Sequence, residues 1–303
     1  MKATYLFPGQ GSQAIGMGED FYNASSDARQ IFEEASDALK IDMKKLLFAQ
    51  NEDLNQTQFS QPAILLVSFI ALRLLGKKFN PVFSMGHSLG EFSALLSVGA
   101  LDFTSALKLV YERGVLMKSS CEGKDAGMMA VIGIEYEKLK NLCDGFVNEG
   151  KKIWLANINN ASQIVLAGTK KDLKSVEKIL SQNGAKRALL LPMSVASHCP
   201  LLESALKPFG ELLDLYVKDE FQTPIISNVT ANLYQDKKTA CELLELQLVS
   251  SVQYVKSIEL AETKSDIFVE FGGSVLKGLN RRITKKPTYS ITDMKSLEIV
   301  GNL

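Results

Sequence analysis

Pro81-Val82-Phe83-Ser84-Met85-Gly86-His87-Ser88-Leu89-Gly90-Glu91-Phe92-Ser93-Ala94-Leu95-Leu96 passes from a short apolar run, through a turn bracketed by two glycines, into a helical pattern. The middle five residues satisfy G-x-S-x-G, and the order strand, tight turn, helix is the context in which that motif becomes a nucleophile elbow. Gly86 and Gly90 let the chain turn sharply without a Cβ clash and leave the Ser88 hydroxyl at a helix N-terminus. There the free N–H groups and the helix dipole favour developing negative charge. The competing reading is a serine that merely caps a helix after a glycine turn.

Working outward, β-rich runs alternate with helical periodicities along the whole chain, which predicts an α/β fold with a mostly parallel sheet covered by helices. Strands are expected at 3–7, 81–85, 128–133, 153–156, 163–167, 187–191, 224–226, 267–271 and 288–291. Between about 127 and 192 the order is strand, helix (135–143), two close strands, helix (171–182), strand, which matches the β-α-β-β-α-β of a ferredoxin-like unit. The expected organisation is a doubly wound, hydrolase-like domain from 1–125 plus 193–303, carrying an inserted small subdomain at 126–192. The longest apolar region, 63–75, is interrupted by Ser68 and Arg73. At that length it reads as a buried helix rather than a bilayer span.

Lys plus Arg and Asp plus Glu are equal at 34 each over 303 residues, so no net field favours nucleic acid. Cys121, Cys143, Cys199 and Cys241 have neither C-x-x-C spacing nor histidine companions, which argues against a zinc site and a disulfide framework and fits a reducing cytoplasm. The first residues read as a strand running into a turn, with no signal-type stretch. No metal and no membrane partner is expected.

A serine nucleophile needs a base, and the chain holds two histidines, His87 and His198. His87 adjoins Ser88 in a tight turn, so its ring should point away from the hydroxyl. His198 lies in Met193-Ser194-Val195-Ala196-Ser197-His198-Cys199-Pro200, a loop between a strand and a new helical pattern, and is the candidate base. A structural or surface histidine is the alternative. After the first strand, Pro8-Gly9-Gln10-Gly11-Ser12-Gln13-Ala14 also fits the dinucleotide fingerprint. No second strand with a terminal acidic residue follows, as that fold requires, since Glu33 and Glu34 fall in a helical pattern. The loop is instead expected to offer the Gln10 amide opposite the Leu89 amide as an oxyanion hole, with a plain structural turn as the third reading.

Together, Phe7-Pro8-Gly9-Gln10-Gly11-Ser12-Gln13, Gly86-His87-Ser88-Leu89-Gly90-Glu91 and Ser197-His198 resemble the malonyl-CoA:acyl-carrier-protein transacylases of bacterial fatty-acid synthesis. The resemblance runs through Ser60-Gln61-Pro62-Ala63, Glu112-Arg113-Gly114, Gly184-Ala185-Lys186-Arg187-Ala188, Gln247-Leu248, and Gly278-Leu279 with Arg281-Arg282-Ile283. It implies malonyl transfer from coenzyme A to the phosphopantetheine thiol of holo acyl carrier protein through a malonyl-serine, by a monomer without a cofactor. It implies that Arg113 grips the free malonyl carboxylate, as a planar guanidinium can, although from the residue alone a surface arginine paired with Glu112 is the simpler reading. It also implies that the Gln247 backbone carbonyl orients His198, that Gln61 lines the acyl pocket, and that Asn159 or Asn160 stands near its mouth.

Two loops depart from the family: Ala161-Ser162 where Pro-Gly is common, and Phe271-Gly272-Gly273 in place of Gly-Pro-Gly. Val195-Ala196-Ser197-His198 stands where related polyketide domains vary with the acyl group selected. The alternatives are a serine thioesterase or esterase, which would normally add a carboxylate behind the histidine, and an acyltransferase of a polyketide pathway.

Overall fold

The computed structural model describes residues 1–303. Ten strands form two sheets: β1 Ala3–Phe7, β2 Pro81–Gly86, β3 Ala126–Ile132, β4 Ile153–Asn160, β5 Gln163–Thr169, β6 Arg187–Leu190, β7 Ile225–Ile226, β8 Leu233–Tyr234, β9 Ile267–Phe271 and β10 Thr288–Ile291. The larger sheet has the order β10-β9-β1-β2-β7-β8 and is parallel except for β8. Its central strand β1 is buried at every position, as a parallel strand covered on both faces must be. The chain moves from β1 to β2 on one side and later returns to β9 on the other. Crevices at the carboxyl ends of such strands are where open α/β sheets hold ligands.

The second sheet, β4-β5-β3-β6, is antiparallel throughout. With the helices Tyr136–Asn148 and Lys170–Gln182 it has ferredoxin-like order. Alternation along its strands assigns its two faces. Met129, Val131, Ile164 and Leu166 join a separate core of 13 buried residues under those helices, whereas Ala126, Met128, Val165 and Ala167 join the main core of 58. The small sheet therefore lies flat on the large unit. Backbone bonds from Ile158 N to Val252 O (2.9 Å) and from Val252 N to Ala156 O (2.8 Å) stitch the two together.

Several elements differ from their expected bounds. The strand expected at 128–133 begins at Ala126, the one expected at 153–156 runs to Asn160, and the helix expected at 135–143 continues to Asn148. Strand β8 was not expected, because two residues carry no readable alternation. The 63–75 helix starts earlier, at Thr57, and its 19 residues are long and apolar enough to cross a membrane, against the expectation from length. It is nonetheless a core helix: 13 of its residues are buried, and among them Ser60 and Gln61 find hydrogen-bond partners inside the protein.

Gly114 explains how two long helices come together beside the elbow. A Cβ there would stand 2.5 Å from the Gln58 Cα, so only glycine lets the Phe103–Cys121 helix approach the Thr57–Leu75 helix this closely. That approach carries the neighbouring Arg113 inward, next to Gln61.

Candidate active site

Strand β2 ends at Gly86, and the helix Gly90–Ser97 begins three residues after His87. A Cβ on Gly86 would fall 1.9 Å from the Gly90 carbonyl carbon, one on Gly90 would fall 1.9 Å from Phe7 O, and one on Gly9 would fall 2.3 Å from His87 O. The elbow and the loop after β1 thus meet backbone to backbone. No helix opens at Gly11, and the first helix begins at Glu19, so the dinucleotide arrangement is absent.

Ser88 occupies the left-handed region at φ 52°, an uncommon conformation for a side-chain-bearing residue that something must hold. Asn228 does so: its Oδ1 accepts from Ser88 N at 2.6 Å and its Nδ2 donates to Gly86 O at 2.7 Å. One side chain thereby clamps both limbs of the turn. Nothing local in the sequence marks Asn228 for this task.

His198 also has a positive φ, 61°, and is buried. Its Nε2 lies 2.8 Å from Ser88 Oγ and its Nδ1 2.7 Å from the Gln247 carbonyl oxygen. A carbonyl only accepts, so Nδ1 carries the proton and Nε2 offers its lone pair to the serine hydroxyl. Burial, then the nearby Arg113 charge, pulls the His198 pKa down to about 3, against the Gln247 bond. The ring is neutral near pH 7. His87 turns the other way, with Nε2 2.8 Å from Asn159 Oδ1 and its ring centroid 5.5 Å from that of Tyr254.

Arg113 is buried and has no bond to Glu112. Its Nη1 donates to Gln61 Oε1 at 2.9 Å, and its Nη2 donates to Gln247 Oε1 at 2.9 Å and to Ser88 Oγ at 3.2 Å. The guanidinium carbon lies 5.2 Å from the Phe92 ring centroid, within reach of a cation–π contact. Buried Nε has no partner, and burial lowers the Arg113 pKa to about 10, which leaves the group charged at neutral pH. Every atom the guanidinium touches is neutral. Its charge is free to meet an anion.

A cavity of about 200 Å³ opens above Ser88, lined by Gln10, Leu89, Arg113 and His198 together with Met117, Met128, Val165 and Leu191. Its walls come from both units. Neither the Gln10 nor the Leu89 backbone N–H donates to a group of the protein, while the Gln10 side chain donates to Thr57 Oγ1 at 3.3 Å. Asn159 lines the cavity, whereas Asn160 does not: its Oδ1 accepts from Ser162 N (3.0 Å) and Oγ (3.1 Å) in the β4–β5 turn, the chemistry that replaces Pro-Gly there. Gln61 is likewise not in the lining. It sits behind Arg113, and its Nε2 is 3.5 Å from Met117 Sδ.

One carboxylate escaped the sequence reading. Glu91, directly after the elbow, is buried and accepts from Gln247 Nε2 (2.7 Å), Asn228 N (3.1 Å) and Tyr234 OH (3.0 Å). Its place among apolar neighbours in the first turn of a buried helix was the available signal.

The acyl transferase domain family matches residues 4–303. The malonyl CoA-acyl carrier protein transacylase of Bacillus subtilis (strain 168) is 36% identical over 303 residues, covering 98% of this chain and 96% of the relative. Among solved structures, the malonyl-CoA:acyl carrier protein transacylase of Helicobacter pylori superposes with a TM-score of 0.97 at 50% identity, covering 100% of this chain and 98% of that one. A malonyl-transacylase solved in complex with its type II PKS acyl-carrier protein superposes with a TM-score of 0.95 at 33% identity, covering 100% and 99%.

Proposed function

The chain belongs to the acyl transferase domain family, and from that premise we propose that it moves a malonyl group from coenzyme A to the phosphopantetheine thiol of an acyl carrier protein in fatty-acid synthesis. It is an [acyl-carrier-protein] S-malonyltransferase. The observation that carries the choice of acyl group is the approach of Arg113 Nη2 to 3.2 Å from Ser88 Oγ. A malonyl thioester bears a carboxylate one methylene from the carbon that Ser88 attacks, so a charged donor beside the nucleophile suits it.

In the first half, His198 Nε2 takes the Ser88 hydroxyl proton while Oγ bonds to the thioester carbon. The amides of Gln10 and Leu89 receive the oxyanion, an interaction worth about 3 kcal/mol per donor in related chemistry. Collapse breaks the carbon–sulfur bond, and His198 returns its proton to the departing thiolate. In the second half the carrier thiol gives its proton to His198 and attacks the malonyl-serine, and the Ser88 oxygen leaves with that proton. Protons and electron pairs balance without a cofactor.

A single chain supplies every group named, so a monomer suffices, and a cytoplasmic setting fits both substrates. The test is mass spectrometry after mixing with malonyl-CoA and holo carrier protein. Malonylated carrier is expected. Free malonate with an unmodified carrier would instead make the protein a hydrolase.

A further inference from the structure

Apart from Ser88 itself, Gln247 is the residue bonded to both His198 and Arg113. Its backbone carbonyl accepts from His198 Nδ1, and its side-chain oxygen accepts from Arg113 Nη2. A guanidinium only donates, so the Gln247 amide has one permissible orientation: Oε1 toward Arg113 and Nε2 away from it. Away from it, Nε2 meets Ser88 O at 3.2 Å and Glu91 Oε2 at 2.7 Å. Glu91 is the only charged acceptor in this network, and it stands one side chain behind the guanidinium rather than against it.

We propose that Glu91 is a positioning residue of the transfer reaction: its carboxylate holds the Gln247 amide in place and, through it, both Arg113 and His198. The arrangement gives the buried Arg113 a counter-charge without occupying the face that would receive the substrate carboxylate. A direct Arg–Glu pair would compete with malonate for the same fork. The titratable groups facing Glu91 are Arg113 from the Phe103–Cys121 helix and Tyr234 from β8, with Cys241 lying behind Tyr234. Burial raises the Glu91 carboxyl to about 7, opposed by the Gln247, Asn228 and Tyr234 bonds and by Arg113. His198, at about 3, titrates far below it. Burial also pulls His87, in the cavity wall, downward, so an acid limb near pH 7 is expected from Glu91. Once protonated, it holds Gln247 Nε2 less firmly and leaves the guanidinium without an anion.

The inference rests on the malonyl-transfer reading, and the wild-type enzyme tests that separately. With malonyl-CoA limiting and holo carrier in excess, kcat/KM reports the free enzyme's groups. The wild type should fall about fivefold from its plateau by one pH unit below a midpoint near 7, heading for the level of a neutral residue 91. Glu91→Gln can keep all three hydrogen bonds, because the Tyr234 hydroxyl can accept as well as donate, so it removes the charge alone. It should lose the limb near pH 7 and lower the plateau at pH 8 about tenfold. Should Glu91→Gln not fold, Tyr234→Phe removes one donor to the carboxylate and should move the limb upward by roughly one pH unit. A flat wild-type profile, a limb retained in Glu91→Gln, a plateau unchanged or raised in that variant, or a limb unmoved in Tyr234→Phe overturns the proposal. Absence of malonyl transfer in the wild type instead overturns the proposed function.

Discussion

The carbonyl oxygen of Gln247 stands 2.7 Å from Nδ1 of His198, so a neutral backbone dipole orients the ring that faces Ser88. The carboxylate nearest in the network, Glu91, bonds the Gln247 side chain instead. An aspartate behind a histidine stabilises the imidazolium through a full charge. A carbonyl fixes the tautomer with less of that stabilisation, which leaves the ring a weaker base in the resting site.

The burial of His198 has a consequence for stability. Its folded pKa, about 3, lies below the unfolded value of 6.5, so its contribution is complete above pH 6.5 and is lost as pH falls toward 3. Between pH 7 and pH 5 the loss is about 2 kcal/mol. His198→Asn, which tolerates the positive φ, should lose correspondingly less between those two pH values. Urea midpoints of both proteins at pH 7 and pH 5 check this, and parallel shifts would refute it.

Ser88→Ala should abolish acyl labelling by malonyl-CoA and slow transfer at least about a thousandfold. The backbone clamp from Asn228 does not involve the hydroxyl, so the variant should remain folded. Intact-mass spectrometry decides the matter, and a malonyl adduct persisting on another residue removes Ser88 from the mechanism.

Arg113→Ala should reduce malonyl kcat/KM by about 100-fold more than acetyl kcat/KM, since two charge-assisted hydrogen bonds are worth about 3 kcal/mol. Arg113→Lys should not restore the difference, because a single ammonium cannot reproduce the guanidinium fork between Gln61 and Gln247. Equal losses for the two substrates would place the malonyl carboxylate elsewhere.

Asn228→Ala leaves the Ser88 N–H and the Gly86 carbonyl without the partner that links them. A cost of about 2 kcal/mol in stability is expected, with a further loss of activity because the elbow is no longer pinned at its positive φ. Denaturant unfolding together with the acylation rate separates the two effects. Unchanged acylation in a merely destabilised protein would make Asn228 purely structural.

Gly90→Ala places a methyl group against Phe7 O, a backbone atom that cannot rotate away. About 3 kcal/mol or more of destabilisation is expected, read as a shift in denaturant midpoint. Wild-type stability in this variant would mean that the elbow and the β1 loop can separate.

Much of this was open to reading in the sequence, because it is local. Glycines on either side of Ser88, between an apolar strand and a helix, dictate an elbow through sterics alone, and two histidines leave a narrow choice of base. Alternation of period two and of helical period similarly marked most of the strands and the ferredoxin-like insert. What the tertiary structure decided lies between residues far apart in the chain: Ser88 with His198 across 110 positions, Glu91 with Gln247 across 156, and Ser88 with Asn228 across 140. Local periodicity reports which face of an element is buried but not which polar group on a distant element meets it. Arg113 therefore read from its own surroundings as a surface residue, while the family resemblance made Gln61 a pocket wall and left Asn160 as an alternative to Asn159. Only packing across Gly114, the turn chemistry at Ser162 and the stacking of two sheets assigned each its place. The elbow that presents Ser88 was a matter of local geometry, whereas the charge set beside it depended on the fold.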